Sequence, residues 1–142
     1  MVTSHEETYV ILKELKGSFF TLKLRNDGIV QMNTDDNAYF TIKEAKEYVI
    51  ALEKITKGIP HLILKVPGQH ASVDNETRSY MATHEALRFS ISEAVIVRNL
   101  GQRILGNFYL KFDKPIKPVR LFDSIENGEK WLLDFASRVK KN

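Results

Sequence analysis

Apolar positions along the chain recur with two periods, every second residue in some stretches and every third or fourth in others. Residues 18–25 alternate, with Phe20, Leu22 and Leu24 on one side and Phe19 breaking the pattern. Asn26-Asp27-Gly28 follows, and glycine tolerates the positive φ that tight hairpin turns need. Residues 29–33 are then the antiparallel return strand. Ahead of the pair, residues 9–13 read as a short strand or as an apolar lead-in. Thr41-Ile42-Lys43-Glu44 has the form of a capping box, and Ile42, Ala45, Val49 and Leu52 share one helical face. Gly58 suits a left-handed stop and Pro60 prevents continuation.

Residues 62–66 are apolar almost without a break, as expected of a strand covered on both faces of a parallel sheet. Pro67-Gly68 ends it. Asp74 or Asn75 caps a helix reaching about Arg88, with Tyr80, Met81 and Leu87 as its apolar stripe. Residues 94–98 form a second buried strand. Asn99 caps a helix with Leu100, Ile104, Phe108 and Phe112 at four-residue spacing, and Asp113-Lys114-Pro115 closes it. Residues 119–122 are a last strand. Asp123 or Ser124 caps a final helix whose inner face is Ile125, Trp131, Leu132, Phe135 and Val139. Gly128 lies inside that helix, where it costs about 1 kcal/mol relative to alanine. Strands alternating with helices call for right-handed crossovers. The expectation is one α/β domain over residues 1–142, with loose ends at 1–8 and 140–142. Its mixed, mostly parallel sheet has about five strands, led by a β-hairpin, with four helices packed around it.

Composition narrows the function classes. The 142 residues suffice for one domain with a core. Cysteine is absent, which excludes disulfides, thiolate metal sites and cysteine nucleophiles and fits a reducing cytoplasm. No apolar run is long enough to span a bilayer, and the first residues lack the features of a signal peptide. Net charge is +3, with one tight basic cluster at Arg138, Lys140 and Lys141. That cluster reads as a basic end and not as a nucleic-acid arm.

Several segments together resemble a bacterial family of small proteins with a SpoIIAA-like fold, shared by STAS domains and Sec14-type lipid-binding domains. They are residues 26–30, 41–45, 104–115, 121–124 and Trp131-Leu132, with residues 107–115 the most specific. The resemblance implies a non-enzymatic interaction or regulatory module, with a small-ligand, anion or lipid-binding module as the alternative. Anti-sigma antagonists of that fold carry a phosphorylated serine, usually preceded by aspartate, at the start of the helix after the third strand. Here Asp74 is followed by Asn75, which has no hydroxyl, and Ser72 lies two residues before the aspartate.

Candidate chemistry gathers in the loop after the central strand. Lys65 and Arg98 close two neighbouring buried strands, and parallel strands bring both ends to one edge of the sheet. Helices starting near Asn75 and Asn99 would aim their N-termini at that edge, which favours an anion. Gln69, His70 and Ser72 would add hydrogen bonds. The competing expectation is that Lys65 and Arg98 pair with Asp74 or Glu93, or reach solvent. His61, His70 and His84 lack metal-ligand spacing, and no metal or other cofactor is expected. Ser72, His70 and Asp74 contain the residue types of a triad but sit too close in one loop to stack as one. Phe108, Tyr109 and Phe112 are expected as core and interface aromatics that favour a homodimer, and nucleic-acid binding is not expected.

Overall fold

The computed structural model describes residues 9–141, with side chains through 138. The hairpin forms as its turn dictates: β2 (Phe20–Arg25) pairs antiparallel with β3 (Ile29–Thr34), and Gly28 adopts φ +92° between them. The apolar lead-in is itself a strand, β1 (Ile11–Lys16), antiparallel to β2 at the sheet edge. A two-residue strand, β4 (Tyr39–Phe40), leads into α1 (Ile42–Thr56). The capping box closes at the start of α1, where the Thr41 amide donates to Glu44 Oε1 at 2.8 Å. Lys57 and Gly58, both at positive φ, end the helix.

β5 (His61–Val66) runs parallel to β3 and pairs on its other side with β7 (Ser90–Ile96), which in turn pairs with β8 (Val119–Phe122). The sheet therefore has six strands, in the order β1-β2-β3-β5-β7-β8, where about five were expected. A separate parallel pair joins β4 to β6 (Ser72–Val73). The helix expected up to Arg88 is two helices, α2 (Asn75–Met81) and α3 (His84–Leu87). Thr83 divides them, because its hydroxyl accepts the Ala86 amide and starts a new helix. Among the described residues five helices result instead of four: α4 (Leu100–Phe108) passes into a π-helical turn over Tyr109–Asp113, and α5 (Ile125–Lys141) follows β8. The expected loose end at 140–142 is thus helical through Lys141. The expected loose start at 1–8, residue 142 and the Val139 side chain lie outside the described parts.

Alternate residues of the central strands feed two cores. Val30, Met32 and Ile63 join Tyr48, Val49, Leu52 and Ile55 of α1 on one face. Ile29, Leu62, Leu64, Val66, Ala94 and Ile96 meet Leu132 of α5 on the other. Gly128 has a packing reason to be there. A Cβ would stand 3.2 Å from both Ile96 Cδ1 and Leu64 Cδ1, so glycine lets α5 settle onto the sheet. Among the described residues no helix is long and apolar enough to cross a membrane.

Candidate functional site

α1 and α4 lie over the same face of the sheet but do not close on each other above β5 and β7. The gap is a cavity of about 210 Å³ at the carboxyl ends of the parallel strands, where open α/β sheets commonly hold ligands. Met32, Tyr48, Val95, Leu105 and Leu121 make it mostly apolar. α2 and the loop after β5 cover it. Contacts from α4 and the turn after it fix that cover. Gln102 Nε2 donates to the Gly68 carbonyl at 3.2 Å, the Tyr109 hydroxyl donates to the Met81 carbonyl at 2.8 Å, and Arg78 Nε pairs with Asp113 Oδ2 at 2.7 Å. Gly106 allows α4 to sit low on β8, since a Cβ there would lie 2.8 Å from Leu121 Cδ1.

A small polar group is set into these apolar walls. Lys65 and Glu93, on adjacent strands, form an ion pair at 2.9 Å between Nζ and Oε1. Ser90 Oγ donates to the other Glu93 oxygen at 2.8 Å. The Lys65 contact is off the hydrogen-bonding axis, so Glu93 Oε1 keeps accepting capacity without using it. Lys65 Nζ also stands 5.1 Å from the centre of the Tyr48 ring. The Tyr48 hydroxyl and the Thr77 hydroxyl are fully buried and make no hydrogen bond with protein groups among the described residues. Burial, then the Glu93 charge and Tyr109, push the Tyr48 pKa well above its ordinary value, so the phenol keeps its proton at neutral pH. Burial likewise raises the Tyr109 pKa, helped by the charges of Glu93 and Asp113. A buried donor without a partner costs about 1–3 kcal/mol, so two of them beside one cavity are a standing invitation to a ligand acceptor.

The residues expected to bind an anion do not gather there. Lys65 and Ser72 line the cavity, but Lys65 is already paired with Glu93. Gln69 and His70 are exposed, and the Gln69 amide is taken by Asp36 Oδ1 at 2.8 Å. The N-terminus of α2 is occupied by Asp74, whose carboxylate accepts the Thr77 amide at 2.8 Å. Asn75 is exposed and accepts from Arg78 Nη1. Asn99 is exposed and caps α4 through Gln102, while Arg98 points to solvent beyond the end of β7. Of the three aromatics expected at an interface, Phe108 and Phe112 are exposed, and Tyr109 instead turns inward to line the cavity.

Residues 22–136, from β2 into α5, match a family described as a domain of unknown function (DUF7793). The chain belongs to that family. No curated protein and no solved structure matches it. Every residue lining the cavity falls within the DUF7793 span, whereas β1 precedes it. Two polar residues of the site escaped the sequence reading, and a third was named only as a partner for Lys65 or Arg98. Tyr48 falls three residues after Ala45 on the inward face of α1, Thr77 falls three before Tyr80 on the α2 stripe, and Glu93, the expected partner, is the acid that opens the apolar run 94–97. Helical spacing is the signal that would have marked the first two.

Proposed function

We propose that this DUF7793 domain is a non-enzymatic module that binds one small, mainly apolar molecule in the cavity between α1 and α4. The observation that carries this reading is the pair of buried hydroxyls, Tyr48 and Thr77, without protein partners among the described residues, on a mostly apolar wall. Both can donate, and so can the Lys65 ammonium, whereas its charge is balanced by Glu93. The ligand class that complements them has an apolar body and one uncharged hydrogen-bond acceptor, such as a carbonyl, ester or ether oxygen. At about 210 Å³ the space is below the roughly 300–1,000 Å³ of drug-sized sites, so the ligand is small. The resemblance of the sequence to Sec14-type binding domains points to a binding role by analogy alone.

The test is native mass spectrometry of the protein purified from cells, followed by amide chemical-shift titration with short ketones, esters and alkanes of matched length. The expected result is retained mass, or shifts centred on Thr77, Met81 and Gly106 that are larger for the ketones and esters than for the alkanes. No retained mass, together with no shift at millimolar ligand, would sink the reading.

A further inference from the structure

α4 carries a second feature on its outer side, independent of the cavity. Leu100, Ile104, Phe108 and Phe112 form one continuous stripe and are 71, 58, 42 and 59 % exposed. The two rings touch, with centroids 4.6 Å apart. Such a run of large apolar side chains left in water needs a cover. The surrounding charge says what kind. Between residues 98 and 117 the chain has five basic residues, Arg98, Arg103, Lys111, Lys114 and Lys117, and one acid, Asp113. That acid is consumed by Arg78. Arg98, Arg103, Lys111 and Lys114 are exposed and make no ion pair among the described residues. Of these, Lys111 borders the stripe directly, its Nζ 5.4 Å from the centre of the Phe112 ring, and the paired Arg78 guanidinium lies 4.4 Å from that of Phe108.

We propose that this face of α4 docks on an anionic phospholipid surface, lying in the plane of the interface with Leu100, Ile104, Phe108 and Phe112 turned into the acyl boundary. An exposed apolar stripe rimmed by Lys and Arg is the composition that binds at such interfaces. A second copy of the chain fits less well, because a two-fold contact through the stripe would press both sets of cations together. The inner side of α4 stays anchored through Gln102, Gly106 and Tyr109, so docking needs no change in the fold.

The experiment is co-sedimentation of the full chain with vesicles of phosphatidylcholine alone and of phosphatidylcholine mixed with phosphatidylserine, at low and high salt. Binding is expected with phosphatidylserine only, and weakens as salt rises. The Phe108→Ser/Phe112→Ser variant should lose about tenfold or more in partitioning, and Arg103→Glu/Lys111→Glu should lose the preference for phosphatidylserine. Each variant alters exposed side chains, and an unchanged thermal melt shows that it folds. Failure to sediment with phosphatidylserine vesicles at low salt would overturn the proposal, as would equal binding by the Phe108→Ser/Phe112→Ser variant. Analytical ultracentrifugation of the same samples is the counter-test. A dimer that the two serines convert to monomer would assign the stripe to a second copy and overturn the proposal as well.

Discussion

Lys65 Nζ and Glu93 Oε1 face each other at 2.9 Å across two parallel strands, with side chains 12 % and 1 % exposed. Removing one partner leaves the other charged in an apolar setting, whereas removing both does not. Glu93→Ala should therefore cost about 3–5 kcal/mol of stability, and Lys65→Met/Glu93→Leu should come close to the parent. Urea unfolding of the two single variants and the double variant checks this. A loss in the double variant equal to the sum of the two single losses would mean the pair is not coupled.

The free hydroxyls make the opposite prediction. Tyr48→Phe and Thr77→Val each delete a buried group that has no protein partner among the described residues. Without ligand each variant should match or exceed the parent, by up to about 1–2 kcal/mol. Ligand affinity should fall in both. Stability rising while affinity drops is the pattern of a binding group, and calorimetry with urea unfolding on the same samples reads both.

Acid sensitivity should trace partly to two helix starts. The hydrogen bonds from Thr77 lower the Asp74 pKa, and those from Thr41 lower that of Glu44. A carboxylate with a folded pKa below its unfolded value adds stability above the unfolded pKa, near 4 for both residues, and loses it as pH falls through the folded pKa. Asp74→Asn keeps an acceptor at the cap but cannot titrate. Its stability should consequently fall less steeply than the parent's below about pH 4, as followed by circular dichroism across an acid series.

Two helical glycines should respond oppositely to alanine. At Gly101 the nearest atom to a new Cβ is Asn99 Oδ1 at 3.4 Å, an ordinary contact, so Gly101→Ala should gain about 0.5–1 kcal/mol. At Gly128 the methyl would press on Ile96 and Leu64 from 3.2 Å. The strain there should cancel the helix gain or exceed it. Thermal melts of the two variants distinguish the cases.

These contrasts follow what the sequence makes legible. α1 could be read because its signals are local: a capping box, one apolar face and a stop at Gly58. β5 could be read because burial on both faces leaves an unbroken apolar run. The division between α2 and α3 was hidden, since Thr83 sits among helix-compatible residues and only its bond to the Ala86 amide gives it away. Lys65 turned out paired for a related reason. Charge on Lys65 was visible, and Glu93 was among its expected partners, but only the register of β5 against β7 puts the two together. The cavity itself was illegible, because it depends on how far apart α1 and α4 lie, and no spacing within one segment encodes that.

The π-helical turn at the end of α4 explains why one helix serves two sides. Residues four apart in an α-helix drift by about 40° around the axis, so a long stripe at that spacing slides off its face. The wider turn, closed by the Lys114 amide on the Tyr109 carbonyl at 3.0 Å, takes back part of that drift. Phe112 returns over Phe108, and Tyr109 is left free to look the other way. The turn behaves as a phase shifter, and its working part is a single surplus residue.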